Sequence, residues 1–165
     1  VSGGRLSSET LDNRSIRTIP STAFDPNMLS RRSPVNKAVV DVEQGAGVST
    51  MLMDVGLDTG DILVKRATEI GNEETAGELH DRLALLGREA MEETLRRLCD
   101  GTLRSEAQDD AQSCYAPMMK KEDGCIDWSR PAGVIHNLVR GLSPWPVAYT
   151  RWNGRTLKHG RSGAN

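Results

Sequence analysis

The chain has 165 residues, 37% of them apolar and 27% charged, with a formal net charge of −2. These proportions suit a soluble globular protein holding one domain, or one domain and a small piece of another. No run approaches the ~20 apolar residues of a membrane span and the first residues lack a secretory signal's apolar core, so the expectation is a cytoplasmic protein with no membrane partner.

In chain order, residues 1–32 are dominated by Ser, Thr, Arg, Asn and Pro without a sustained apolar period. They read as disordered or loosely attached. Pro34 then opens a short helix, to about residue 42, with Val35, Ala38, Val39 and Val42 on one side. Gly45 and Gly47 end it. Residues 48–53 are dense in β-branched and large apolar side chains, as a buried strand is, and a second strand is expected at about 61–70. Between the two, Gly56 and Gly60 permit a sharp bend, and Asp54, Asp58 and Asp61 crowd three mutually repelling carboxylates around it. A solvated turn capped by Asp54 and Asp61 is the plain structural account.

Thr75 and Glu78 form a capping box, followed by Leu79, Leu83, Leu86, Ala90, Leu95 and Leu98 at near-helical spacing and by Gly101 as a stop. His80 lies beside that apolar face and is assigned no chemistry. Residues 102–121 are polar and read as a linker. A further helix follows with Ser129 as N-cap, Pro131 in its first turn and an apolar face of Val134, Ile135, Leu138 and Val139, up to Gly141. Pro144, Trp145 and Pro146 read as rigid and extended. Asn153-Gly154 between two short runs marks a β-hairpin.

Cys99, Cys114 and Cys125 are odd in number and far apart, and His80, His136 and His159 are scattered, so no disulfide framework and no metal site is expected. Residues 35–101 carry 7 Lys+Arg against 14 Asp+Glu, whereas residues 102–165 carry 9 against 6. A basic C-terminal part on an acidic body points weakly to a polyanionic partner. Lys120, Lys121, Arg130, Arg140, Arg151, Arg155 and Lys158 are the candidate RNA-binding cations, interleaved with Trp128, Trp145, Tyr149 and Trp152. Trp128 and Trp145 are expected to be buried anchors rather than stacking platforms.

Two stretches carry a family resemblance. MLMDVGLDTGDIL (residues 51–63) resembles the folate-loop signature of the 10-formyltetrahydrofolate-dependent formyltransferases, and IDWSRPAGVIHNLVRGLSPWPVAYT (residues 126–150) resembles the branch that formylates initiator methionyl-tRNA. The similarity runs from about Ser33 to Lys158. It implies an α/β fold: the C-terminal half of a Rossmann-like formyltransferase domain, a parallel-sheet half with an exposed strand edge, followed by the start of a small OB-like β-barrel. The implied divisions are an unmatched segment (1–32), a partial catalytic domain (33–101), a linker (102–121) and the beginning of a tRNA-binding barrel (122–165). A monomer is the default expectation, which no motif in the sequence decides.

The resemblance further implies 10-formyltetrahydrofolate as formyl donor, the methionine amino group of initiator tRNA as acceptor, and no metal. Amine attack on a formyl carbon needs donors for the oxyanion and a route for the amine proton. Asp58 matches the family's catalytic Asp, and Asp54, Val55, Gly56 and Leu57 match the loop that holds the pterin. The family's Asn-x-His pair, counted back from Asp58, would fall at Pro20 and Thr22, and its following turn at Phe24 to Asn27; the expected identities are absent. The reading therefore takes the first residues for a frame or boundary error and the chain for a piece of the enzyme, ending after the barrel's first hairpin, with little or no activity alone. Alternatives are a sibling enzyme acting on a sugar-nucleotide amine and a catalytically dead remnant that only binds RNA.

Overall fold

The computed structural model describes residues 16–22, 34–53, 60–108 and 119–160. Its elements in order are β1 (Ile16–Thr22), α1 (Pro34–Val40), β2 (Gly45–Leu52), β3 (Ile62–Glu69), α2 (Ala76–Cys99), a single 3-10 turn (Lys121–Gly124), α3 (Ala132–Gly141), β4 (Ala148–Trp152) and β5 (Arg155–His159). The strands form a three-stranded sheet of order β1-β2-β3 and a separate β4-β5 hairpin.

Among the described residues every named strand pair is antiparallel, which corrects the expected parallel-sheet half. For β2 and β3 the reason is local: residues 53–61 alone join them, whereas a parallel pair needs a crossover of about a dozen residues or more. β1 is a second correction: residues 16–22 are paired along β2 from Ile16↔Leu52 to Thr22↔Ala46 rather than loosely attached.

α1 and α2 pack on the sheet. Val35, Val39, Ala46, Val48, Val64, Ala76, Leu79, Leu83 and Ala90 form the main core, buried from water as the hydrophobic effect requires. The capping box at Thr75 and Glu78 is present, each satisfying the other's free backbone N–H. The inner face of α2 differs from the leucine series in two places: Gly87 and Thr94 are buried, while Leu95 stays 49% exposed.

The start of the expected linker is docked rather than free. Leu103 is fully buried beside Leu52 and Leu63, and Ile62 and Glu106 exchange backbone hydrogen bonds of 2.8 Å. α3 packs on α1, and Ile126, Val139, Leu142 and Ala148 make a small second core. Ser129 does not cap α3; Pro131 stands at the N-cap and gives no side-chain bond. The Pro144-Trp145-Pro146 stretch turns instead of extending, with both X–Pro peptide bonds cis. No helix among the described residues is long and apolar enough to cross a membrane.

Candidate functional site

The acidic, glycine-bearing loop is carried between two neighbouring strands of the sheet. Residues 54–59, hence Asp54, Val55, Gly56, Leu57 and Asp58, lie outside the described residues. Its stem is described. The Leu52 N–H donates to the Asp61 carbonyl at 3.0 Å and closes the loop's base. The Gln108 side chain, returning from the docked segment after α2, donates to the Gly60 carbonyl at 2.6 Å.

One turn further into the sheet, the β2–β3 register shifts between Thr50 and Met51. There the Val64 N–H donates to Thr50 Oγ1 (3.1 Å), Thr50 and Thr94 hydroxyls bond at 2.7 Å, and Thr94 Oγ1 donates to the Ala90 carbonyl (2.7 Å). Because the Ala90 carbonyl can only accept, the Thr94 hydroxyl donates to it and the Thr50 hydroxyl must donate to Thr94. Every polar atom in this buried chain is thus partnered where the bulge would otherwise leave an amide unpaired. Gln108, Thr50 and Thr94 hold the loop's stem, and no periodicity in the sequence marks them; a threonine on a leucine-lined helix face was the one available signal.

The positions matched to the family's Asn-x-His pair, Pro20 and Thr22, sit opposite Val48 and Ala46. Ile16, not Thr22, is the end of β1 that lies beside the loop's base. Six residue steps of strand separate Thr22 from Ile16, about 20 Å at the usual strand rise.

The candidate cations divide into distinct settings. Lys120 and Lys121 are exposed at the 3-10 turn, where the Asp123 carboxylate accepts from the Lys120 N–H at 2.7 Å. Arg130 is exposed and 3.9 Å from Asp127. The Ser129 hydroxyl and then its N–H hold the Asp127 carboxyl below its usual range, with Arg130 adding a smaller pull. On the hairpin, Lys158 is paired with Tyr149 and Arg151 with Thr156, which puts both cations on one face; Arg155 is paired with Trp152 on the other.

Arg140 stands apart. It is 6% exposed, and its guanidinium donates to neutral acceptors of the protein itself. The expectation that Trp128 and Trp145 are buried is corrected as well: they are 60% and 55% exposed, and Trp152 is 67% exposed. The small core beneath α3 is filled by aliphatic side chains, so the indoles are left outside it. Trp128 still donates to Thr150 Oγ1 at 2.9 Å and stands edge-on to His159 at 5.8 Å.

A family model described as formyl transferase matches residues 31–95, and one described as formyl transferase, C-terminal domain, matches residues 118–162. Methionyl-tRNA formyltransferase of Geobacter metallireducens is 58% identical over 126 residues, covering 76% of this chain and 40% of that protein. The chain therefore spans about two fifths of the length of the curated relatives it matches. Among solved structures, HypX from Aquifex aeolicus in complex with tetrahydrofolic acid gives a TM-score of 0.73 at 16% identity, over 90% of this chain and 26% of that one. Methionyl-tRNA formyltransferase from Clostridium thermocellum gives 0.68 at 18% identity, over 96% of this chain and 67% of that one. At such identities the two structures speak to fold alone.

Proposed function

The chain belongs to the formyl transferase family, and on that premise we propose that it serves transfer of a formyl group from 10-formyltetrahydrofolate to the methionine amino group of initiator methionyl-tRNA. The observation that carries this reading is the 58% identity to a methionyl-tRNA formyltransferase over 126 residues, 76% of this chain. The sugar N-formyltransferases among the solved structures are 19–21% identical to this chain, which speaks to fold and not to the acceptor.

In this reading Asp54, Val55, Gly56 and Leu57 form the pterin cradle, on a stem made stiff by Gln108 and the Thr50–Thr94 pair. The amine's lone pair attacks the formyl carbon, the bond from that carbon to the folate nitrogen breaks, and the proton lost by the amine replaces the formyl group on the folate. Asp58 is the group that takes up the amine proton. The β4-β5 hairpin is the first hairpin of a small barrel, and Lys120, Lys121, Arg130, Arg151, Arg155 and Lys158 neutralise tRNA phosphates. The reaction also needs donors for the developing oxyanion. The positions matched to the family's Asn and His are Pro20 and Thr22, so transfer by this chain alone is expected to be slow.

The test is formyl transfer from 10-formyltetrahydrofolate to initiator methionyl-tRNA, with an amino-sugar nucleotide as competing acceptor. Any transfer to tRNA should fall about a hundredfold or more in Asp58→Asn, the usual worth of a general base. Transfer to the sugar amine alone would overturn the acceptor, and an unimpaired Asp58→Asn would overturn the role of Asp58.

A further inference from the structure

The cation-bearing segment and the sheet that carries the loop meet along one seam, and Arg140 makes three of the polar bonds across it. From the last turn of α3 its Nε donates to Asn137 Oδ1 at 2.7 Å, Nη1 to the Gly71 and Glu74 carbonyls at 3.0 Å each, and Nη2 to the Val39 carbonyl at 3.5 Å. Gly71 and Glu74 belong to the turn between β3 and α2, and Val39 to α1. One planar fork thus joins three carbonyls in two separate segments of backbone from two nitrogens held a fixed distance apart, where a lysine has a single nitrogen. Burial pushes the guanidinium's pKa down from its usual value, while Glu73 and Glu74 oppose that shift and favour the charged form.

The same seam is closed by independent bonds. Asn36 Nδ2 donates to the Gly141 carbonyl at 2.7 Å and the Trp145 carbonyl at 3.2 Å, and the Gly77 N–H donates to the Ser143 carbonyl at 3.0 Å. At Gly141 the helices approach so closely that a Cβ would lie 2.5 Å from Val40 Cγ2.

We propose that Arg140 is a positioning residue, a latch that fixes the cation-bearing C-terminal segment against the unit carrying the formyl-donor loop, and that it neutralises no phosphate. The latch stands on geometry alone; its consequence for transfer rests on the formyltransferase reading.

The experiment uses the two exposed free cysteines on either side of the seam, Cys99 and Cys125, as dye sites in a Cys114→Ser background. Single-molecule energy transfer reads the distance distribution in the parent, Arg140→Met, Arg140→Lys and Asn36→Ala, with circular dichroism following helix content. Arg140→Met and Arg140→Lys should both broaden the distribution toward longer distances with helix content kept. Initiator tRNA binding should weaken about tenfold, with the slope of log affinity against log salt unchanged. An unbroadened Arg140→Met, or a slope reduced by about one charge, would overturn the proposal. Should Arg140→Met lose its helices, Asn36→Ala decides: a smaller broadening in the same direction supports the latch, and an unchanged distribution sinks it. A parent chain that binds no tRNA would refute the acceptor reading while the distances still decide the latch.

Discussion

Thr50 shows how much a single hydroxyl can carry at a register shift. It accepts the Val64 N–H inside the protein and donates a hydrogen bond to the Thr94 hydroxyl, which donates to the Ala90 carbonyl. Replacing Thr50 by Val keeps the shape but leaves a buried amide without a partner, at a cost of about 1–3 kcal/mol. Urea unfolding of Thr50→Val should show that loss as a lower midpoint with an unchanged slope. A change under ~0.5 kcal/mol would mean that the bulge relaxes to pair Val64 elsewhere. In the sequence Thr50 is only another β-branched strand residue, because what distinguishes it is the partner 44 positions away. Arg140 passes for a phosphate-binding cation for the same reason: charge is visible in a sequence, whereas burial against carbonyls is not.

At the scale of elements, two helix ends contrast. After α2 the Thr102 N–H donates to Arg97 and the Gly101 N–H to Leu98, with Gly101 at φ +63°, the left-handed residue this ending requires. After α1 the Glu43 N–H donates to Ala38 and the Val42 N–H to Val39, the same pair of bonds, but the left-handed position is held by Val42 at φ +60°. A β-branched residue is strained there. Val42 is 58% exposed, so Val42→Gly gives up little burial and should stabilise the protein by about 1 kcal/mol, read as a higher thermal midpoint. The Thr75–Glu78 box and the Asn153-Gly154 turn were legible from sequence because each acts within four residues. The failed Ser129 cap was local too, yet Asp127 took its hydroxyl first.

For the whole molecule, an acidic body and a basic C-terminal segment are held at one seam, and the cations left in water are the ones free to meet a polyanion. Lys120 and Lys121 are exposed. Removing both charges (Lys120→Gln with Lys121→Gln) should lower the salt slope of initiator tRNA binding by about 0.7–0.9 for each phosphate that is no longer neutralised. Filter binding from low to moderate salt measures it; an unchanged slope would take both lysines out of the interface. Tyr149, Arg151 and Lys158 share a hairpin face, so charge removal at Arg151 or Lys158 belongs in the same series.

The sequence by itself determined the helices, the two strands flanking the acidic loop, the C-terminal hairpin and the family, because each is written in short-range periodicity, turn chemistry or a contiguous motif. Only the tertiary structure decided that β1 joins the sheet, that residues 102–108 dock beside Leu52 and Leu63, that the tryptophans face outward and that Arg140 is spent on carbonyls. Those outcomes depend on which distant groups win the limited buried space and the limited backbone donors and acceptors. That competition is settled between segments 30 to 100 residues apart and leaves no mark within any one of them.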